Sequence, residues 1–263
     1  MIRVRGRMLS WVDFGGVGPM VLALHGTFGR GVVFAPIADR LQGAARVVAL
    51  DQRGHGLADH GGPFTRAEFV ADAAAVIDQL DIDPVVVLGH SLGGITAYQL
   101  AVQHPELVRA LIIEDVGAVM RQPEVPHPAL DIRGWPRTAP TREVLAEVIR
   151  AQGVLDVDYF LCSAVAGEQG WRLLFDYDEM MVVQHHGLGD WWNDWLGSAC
   201  PALLLRGQRS TLLSTEMAHQ MVRRRPRTQL VEFPDAGHWI HDDDPDGCAA
   251  AILDFLSKIS DSV

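Results

Sequence analysis

The ten residues Val85-Val-Val-Leu-Gly-His-Ser-Leu-Gly-Gly94 constrain the fold of this chain more than any other stretch. A short Val-rich apolar run meets a serine set between glycines, and a helix-like segment, Ile95 to Gln103, follows at once. That pattern is strand, tight turn, helix. To lift a serine hydroxyl clear of a sheet edge, the backbone must bend sharply at the serine. Such a bend is sterically open only when the residues two before and two after are small, here Gly89 and Gly93. The helix then aims its first free N–H groups, that of Leu92 among them, at the space where a negative oxygen would form. A glycine-rich turn with an incidental serine reads the same way in isolation, so the rest of the chain must decide.

The flanking chain repeats the strand–helix unit. Ile2 to Met8 and Trp11 to Phe14 alternate apolar and polar residues and predict a hairpin-like start. Met20–Leu24, Arg46–Leu50, Val85–Gly89, Ala110–Ile113, Ala202–Leu205 and Gln229–Phe233 are short, mainly apolar runs, as expected of strands in a parallel sheet covered on both faces. Helical spacing lies between them at Val33–Leu41, Thr65–Leu80, Ser91–His104, Ser214–Arg225 and Ala249–Ile259. Thr65-Arg-Ala-Glu68 reads as a capping box. From Gly117 to about Ala199 the alternation stops; prolines and helical stretches appear there, with no strand-like run. The pattern predicts an α/β protein with a doubly wound, mostly parallel eight-stranded sheet. Residues 1–116 and 200–263 form its core, and 117–199 an inserted helical lid.

Composition narrows the function. Hydrophobic residues make up 48% and charged residues 21%, the balance of a soluble globular protein. No apolar run approaches the roughly 18 residues that cross a bilayer, and the N-terminus lacks the apolar stretch of a secretion signal. A formal charge of −11 argues against nucleic acid or an anionic membrane as partner. Cys162, Cys200 and Cys248 lie far apart in no metal or redox spacing, which suggests reduced thiols and a cytoplasmic protein. Adjacent His185 and His186 would point apart on a helix, so no metal site is expected.

In doubly wound sheets, sites form at the C-terminal ends of the strands. His25-Gly26-Thr27, Asp51, Ser91, Asp115 and the loop Asp235-Ala-Gly-His238 all fall there. With these parts in place the chain resembles the α/β-hydrolase superfamily from end to end. His25-Gly26, Asp51-Gln-Arg-Gly-His-Gly56, Gly89-His-Ser-Leu-Gly93 and Gly237-His238 carry the resemblance. It is most similar to the lidded, cofactor-free serine esterases and haloperoxidase-like hydrolases. The serine that usually closes the second motif is Ala58 here, and Asp51 and Arg53 are read as structural braces.

The resemblance implies a nucleophile, an acid and a base in that chain order. Ser91 is the nucleophile and His238, after the last strand, the base. His241 is the competing histidine; with Asp242 to Asp244 beside it, it is expected in a solvated turn. Many members place the acid after the strand that follows the lid. Here that strand runs into Gly207-Gln-Arg-Ser-Thr211, with no carboxylate. The assignment therefore moves to the strand before the lid and to Asp115, with Glu114 as the alternative. The oxyanion hole is expected from the N–H groups of Leu92 and of Thr27 or Phe28, while His25 is read as structural.

A serine at the bend implies an acyl-enzyme, whereas an aspartate there would form an alkyl ester. Five of the seven tryptophans lie in the lid, and Trp135, Trp191 and Trp192 with Phe175 are candidates for an apolar pocket over Ser91. The other reading is that these rings pack the lid onto the sheet. Asp176, Asp178, Glu179, Asp190 and Asp194 outweigh Arg172 and disfavour a strongly anionic substrate. The expectation is a serine hydrolase of small to medium apolar carboxylic esters or lactones, with no cofactor. The alternatives are an acyltransferase, thioesterase or cyclase with the same triad, a C–C bond hydrolase, and a non-catalytic small-molecule receptor.

Overall fold

The computed structural model of the protein describes residues 1–81, 84–154 and 156–260. Eight strands form the main sheet: β1 (Ile2–Val4), β2 (Arg7–Asp13), β3 (Met20–Leu24), β4 (Arg46–Asp51), β5 (Val85–His90), β6 (Val108–Glu114), β7 (Ala202–Gly207) and β8 (Thr228–Phe233). Their spatial order is β1-β2-β4-β3-β5-β6-β7-β8. β2 runs antiparallel to both its neighbours, and every pairing beyond β4 is parallel.

The apolar runs are continuous because both faces of the sheet are covered. Val21, Ala23, Val86 and Leu88 feed the core on one face; Leu22, Leu24, Val85 and Val87 feed the core on the other. Strand side chains alternate between faces, so burying both requires that every position be apolar. The helices of the sheet domain are α1 (Ala35–Leu41), α2 (Arg66–Leu80), α3 (Leu92–Gln103), α8 (Thr215–Arg224), α9 (Ile240–Asp243) and α10 (Pro245–Ser260). The strand ends are braced by ion pairs: buried Asp51 accepts the Gly31 and Leu57 N–H groups and faces Arg30 at 3.4 Å, while Arg53 meets Asp72 at 2.8 Å.

Several local expectations are corrected. The first hairpin turns at Arg5-Gly6, both with positive φ (50° and 83°), so β2 starts at Arg7 and runs unbroken to Asp13. Two consecutive positive φ values mark the turn whose twist suits a tight hairpin. The capping box at Thr65 does not form: Thr65 makes no side-chain cap bond, and the Glu68 carboxylate is drawn to Arg5 and Arg53 instead. The last helix begins at Pro245, four residues earlier than the apolar spacing indicates, because a first-turn proline costs a helix nothing.

The segment between β6 and β7 is not purely helical. It holds α4 (Arg142–Ala151), α5 (Val157–Leu161), α6 (Tyr177–Gly187) and α7 (Trp192–Leu196), together with two small antiparallel pairings. Val119–Met120 pairs with Gly189–Asp190, and Ala164–Gly167 with Gly170–Leu173. Strands of two to four residues carry too little periodicity to read from sequence. Among the described residues no helix is long and apolar enough to cross a membrane.

Candidate active site

Ser91 links β5 to α3 with φ 53° and ψ −117°, a conformation that L-residues avoid. Close packing enforces it. A Cβ at Gly93 would lie 2.0 Å from the Leu24 carbonyl oxygen, and one at Gly89 would lie 2.4 Å from that of Gly93. The chain can therefore cross over β3 at this point only without side chains. The Ser91 N–H is tied to the Glu114 carbonyl at 3.0 Å, which fixes the bend against β6.

Asp115 follows β6 with φ 49° and is fully buried. His238 Nδ1 lies 2.8 Å from its Oδ2, the Gly207 N–H donates to its Oδ1 at 3.1 Å, and the Ser210 hydroxyl donates to Oδ2 as well. The end of β7 and the loop after it, which have no carboxylate of their own, thus supply two donors to the carboxylate that follows β6. Nothing in the spacing of that loop marks Ser210 as a partner of Asp115. The His238 side chain keeps 13% of its surface exposed. His90 also holds this loop, by donating from Nε2 to the His238 carbonyl at 3.0 Å.

Glu114 faces the other way. Its Oε1 accepts from the His241 N–H at 3.0 Å and lies 2.7 Å from His241 Nδ1, with both side chains fully buried. His241 is therefore a core residue, and the expectation of a solvated turn is corrected: Glu114 draws the imidazole inward. Burial alone would lower the His241 pKa, but the Glu114 carboxylate outweighs it and raises it to about 9. His90 is held well below the usual histidine range, by burial first and then by His238 and His241. His90, Glu114 and His241 bring their N and O atoms within 4.8 Å of one another. Glu114 and His241 spend their facing atoms on each other as an ion pair. His25 is buried too; its Nε2 accepts from the Gln52 N–H at 3.0 Å, and burial lowers its pKa to about 4.

A cavity of about 810 Å³ opens beside the bend, and Thr27, Phe28, Ser91, Leu92 and His238 all line it. This volume suits a small-molecule ligand. The four aromatic candidates for the pocket do not reach it. Trp135 is buried against Phe160 at 5.5 Å and Phe175 against Phe28 at 5.6 Å. Trp191 donates from Nε1 to the Gly187 carbonyl, and Trp192 lies under the Arg224 guanidinium at 3.8 Å. Large flat rings gain most from burial between elements; here Trp135 and Trp191 pack within the insert, while Phe175 and Trp192 tie it to the sheet domain. The wall is mainly aliphatic instead, with Ile95, Met120, Val125, Leu130, Leu188 and Leu212, and its rings are Phe28, Phe160 and Trp239. No spacing rule marks such residues in a sequence.

The sequence profile of the alpha/beta hydrolase family matches residues 21–251. The chain belongs to that family. As an alpha/beta hydrolase it is 27% identical over 260 residues to the sn-1-specific diacylglycerol lipase ABHD11 of Mus musculus, covering 91% of this chain and 81% of the relative. It is 28% identical over 264 residues to the 2-(acetamidomethylene)succinate hydrolase of Mesorhizobium japonicum, covering 95% and 92%. The solved structure of E-2-(acetamidomethylene)succinate hydrolase superposes with a TM-score of 0.85 at 24% identity, over 95% of this chain and 99% of that one, which shows the shared fold. The family and these relatives support hydrolase activity for this alpha/beta hydrolase.

Proposed function

We propose that the protein is a serine hydrolase that cleaves uncharged, aliphatic carboxylic esters or lactones of small to medium size through an acyl-enzyme. One observation carries the reading. His238, bonded through Nδ1 to buried Asp115 at 2.8 Å, lines the same cavity as Ser91, so its other ring nitrogen is left for the serine proton.

His238 takes the Ser91 proton as Oγ attacks the carbonyl carbon. Asp115 fixes the tautomer and stabilises the imidazolium that results. The N–H groups of Leu92 and Thr27 hold the tetrahedral oxyanion. His238 then protonates the leaving alcohol, and in the second half it draws a proton from water that attacks the acyl-enzyme. Segment 117–199 acts as the lid that closes this space from solvent.

The wall supports the substrate class. Beyond the aliphatic side chains, the cavity carries Asp156, Asp235 and Asp243 against Arg209, which is itself paired with Asp235. Burial, with Asp242 and Asp243 nearby, raises the Asp156 pKa to about 6, so above that pH the lining has excess negative charge. A succinate-like dianion, as named for the Mesorhizobium relative, would be repelled here. Diacylglycerol, named for the mouse relative, is uncharged and fits that wall better.

The test is labelling and turnover together. A fluorophosphonate should modify wild-type protein at Ser91 and leave Ser91→Ala unlabelled. A series of p-nitrophenyl esters of increasing chain length, with lactones alongside, should show a maximum at short to medium acyl chains. Absence of both labelling and hydrolysis would overturn the reading.

A further inference from the structure

The turn that carries Thr27 is held from the insert as well as from the sheet domain. Gly26 to Gly29 form a four-residue turn closed by the Gly29 N–H donating to the Gly26 carbonyl at 3.2 Å. Phe28 occupies its third position with φ 73°, a left-handed conformation normally left to glycine. Such a conformation persists only where its surroundings over-determine it.

Those surroundings come from the far side of the site. The fully buried Ser163 Oγ donates to the Phe28 carbonyl at 3.2 Å. The Phe28 ring is tilted against Phe160 at 5.4 Å and Phe175 at 5.6 Å. The Tyr159 hydroxyl presses on the turn itself: a Cβ at Gly29 would lie 2.3 Å from it, and one at Gly26 3.0 Å. All four side chains belong to the segment between β6 and β7. One end of the turn thus rests on the sheet and the other on α5 and the residues just after it.

We propose that Ser163 is a positioning residue, which sets the oxyanion-binding turn through the Phe28 carbonyl and makes the insert a working part of the oxyanion site. The inference rests on the reading of Ser91 as nucleophile. The N–H of Thr27 lies two peptide units before the Phe28–Gly29 peptide whose carbonyl Ser163 holds, inside the same closed turn. Loss of the hydroxyl frees Phe28 to relax toward negative φ, which rotates the donor away from the oxyanion. Donor placement acts in the transition state rather than in substrate binding, so the effect falls on kcat.

The experiment compares steady-state ester hydrolysis by wild type, Ser163→Ala, Ser163→Cys and Ser163→Thr, with affinity for a trifluoromethyl ketone as a second readout. Ser163→Ala is expected to lose about 10-fold to 100-fold in kcat with KM within about two-fold, and to lose ketone affinity in parallel. Ser163→Thr, which keeps the hydroxyl, is expected to recover most of both. Should Ser163→Ala fail to fold, Ser163→Cys, similar in shape but a weak donor, decides by the same kcat and KM split. Unchanged kcat, or a change in KM alone, overturns the inference. A wild-type protein that neither hydrolyses esters nor takes a fluorophosphonate sinks the nucleophile assignment instead, and the two failures are told apart before any Ser163 variant is made.

Discussion

Two carboxylates stand side by side at the end of β6, and each is bonded to a histidine of the segment that follows β8. Asp115 meets His238 at 2.8 Å and Glu114 meets His241 at 2.7 Å. The pairs match in chemistry and differ in access. The His238 side chain is 13% exposed and lines the cavity, whereas His241 is sealed at 0%. Consecutive residues leaving a strand point to opposite sides, so one acid faces the histidine that lines the cavity and its neighbour the core. A base has to exchange protons with what it meets, and only one of the two imidazoles can. The sealed pair instead fixes the helical turn after His238, by holding both the backbone and the ring of His241. In the proposed mechanism one acid addresses the reaction, the other the frame around it.

That contrast breaks most sharply at Asp115. Asp115→Asn is expected to lose about 10³- to 10⁴-fold in kcat with most of its stability retained, since an amide favours the wrong tautomer of His238. Ester turnover against a urea melt checks both halves. A stability loss exceeding the activity loss would mean that the two pairs had been read the wrong way round.

Glu114→Gln should do the opposite. Removing one partner of a buried ion pair costs about 3 kcal/mol, because the charge on His241 is left without a counterpart. Urea denaturation measures that cost, and kcat of the folded fraction should fall far less than in Asp115→Asn. The pH dependence sharpens the point. The His241 pKa is raised to about 9 in the folded protein from an ordinary 6.5, so its contribution to stability is complete below pH 6.5 and is lost as pH rises through 9. Wild type and Asp115→Asn should both lose stability across that window, while Glu114→Gln should vary less. A wild-type urea midpoint that stays flat from pH 6.5 to 9 would contradict the buried ion pair.

Smaller effects are expected further out. Ser210→Ala deletes one donor to Asp115 and should cost about 10-fold in kcat, in line with about 1.4 kcal/mol for a hydrogen bond to a carboxylate. Trp192→Ala, remote from both pairs, should leave KM for every chain length within about two-fold. A selective loss of long-chain esters in that variant would return the ring to the cavity wall.

The parts that were legible in the sequence are those with an unavoidable local signature. Buried parallel strands must be apolar at every position, and a pinched bend needs Gly89 and Gly93, so sheet and bend both show in the residues. The approach of Asp115 to His238 could be expected from strand-end positions, because a parallel sheet gathers its strand ends on one edge. The approach of Glu114 to His241 could not. Three aspartates beside His241 read as a wet turn, and only the alternation at the end of β6 turns Glu114 inward. The aliphatic wall was illegible for another reason: Met120, Val125 and Leu188 come from a two-residue strand, a loop and a helix end, and no period relates them.

The pairing of Val119–Met120 with Gly189–Asp190 has a consequence of its own. It joins the two ends of the insert in a narrow neck, reinforced by the Trp191 N–H donating to the Ala118 carbonyl at 2.7 Å. The chain between Met120 and Gly189 therefore leaves and rejoins the sheet domain at one point, and its length is uncoupled from the register of β6 against β7. An appendage held that way can be exchanged for another of different size at little entropic cost, provided that the neck and the segment bearing Ser163 are carried over together.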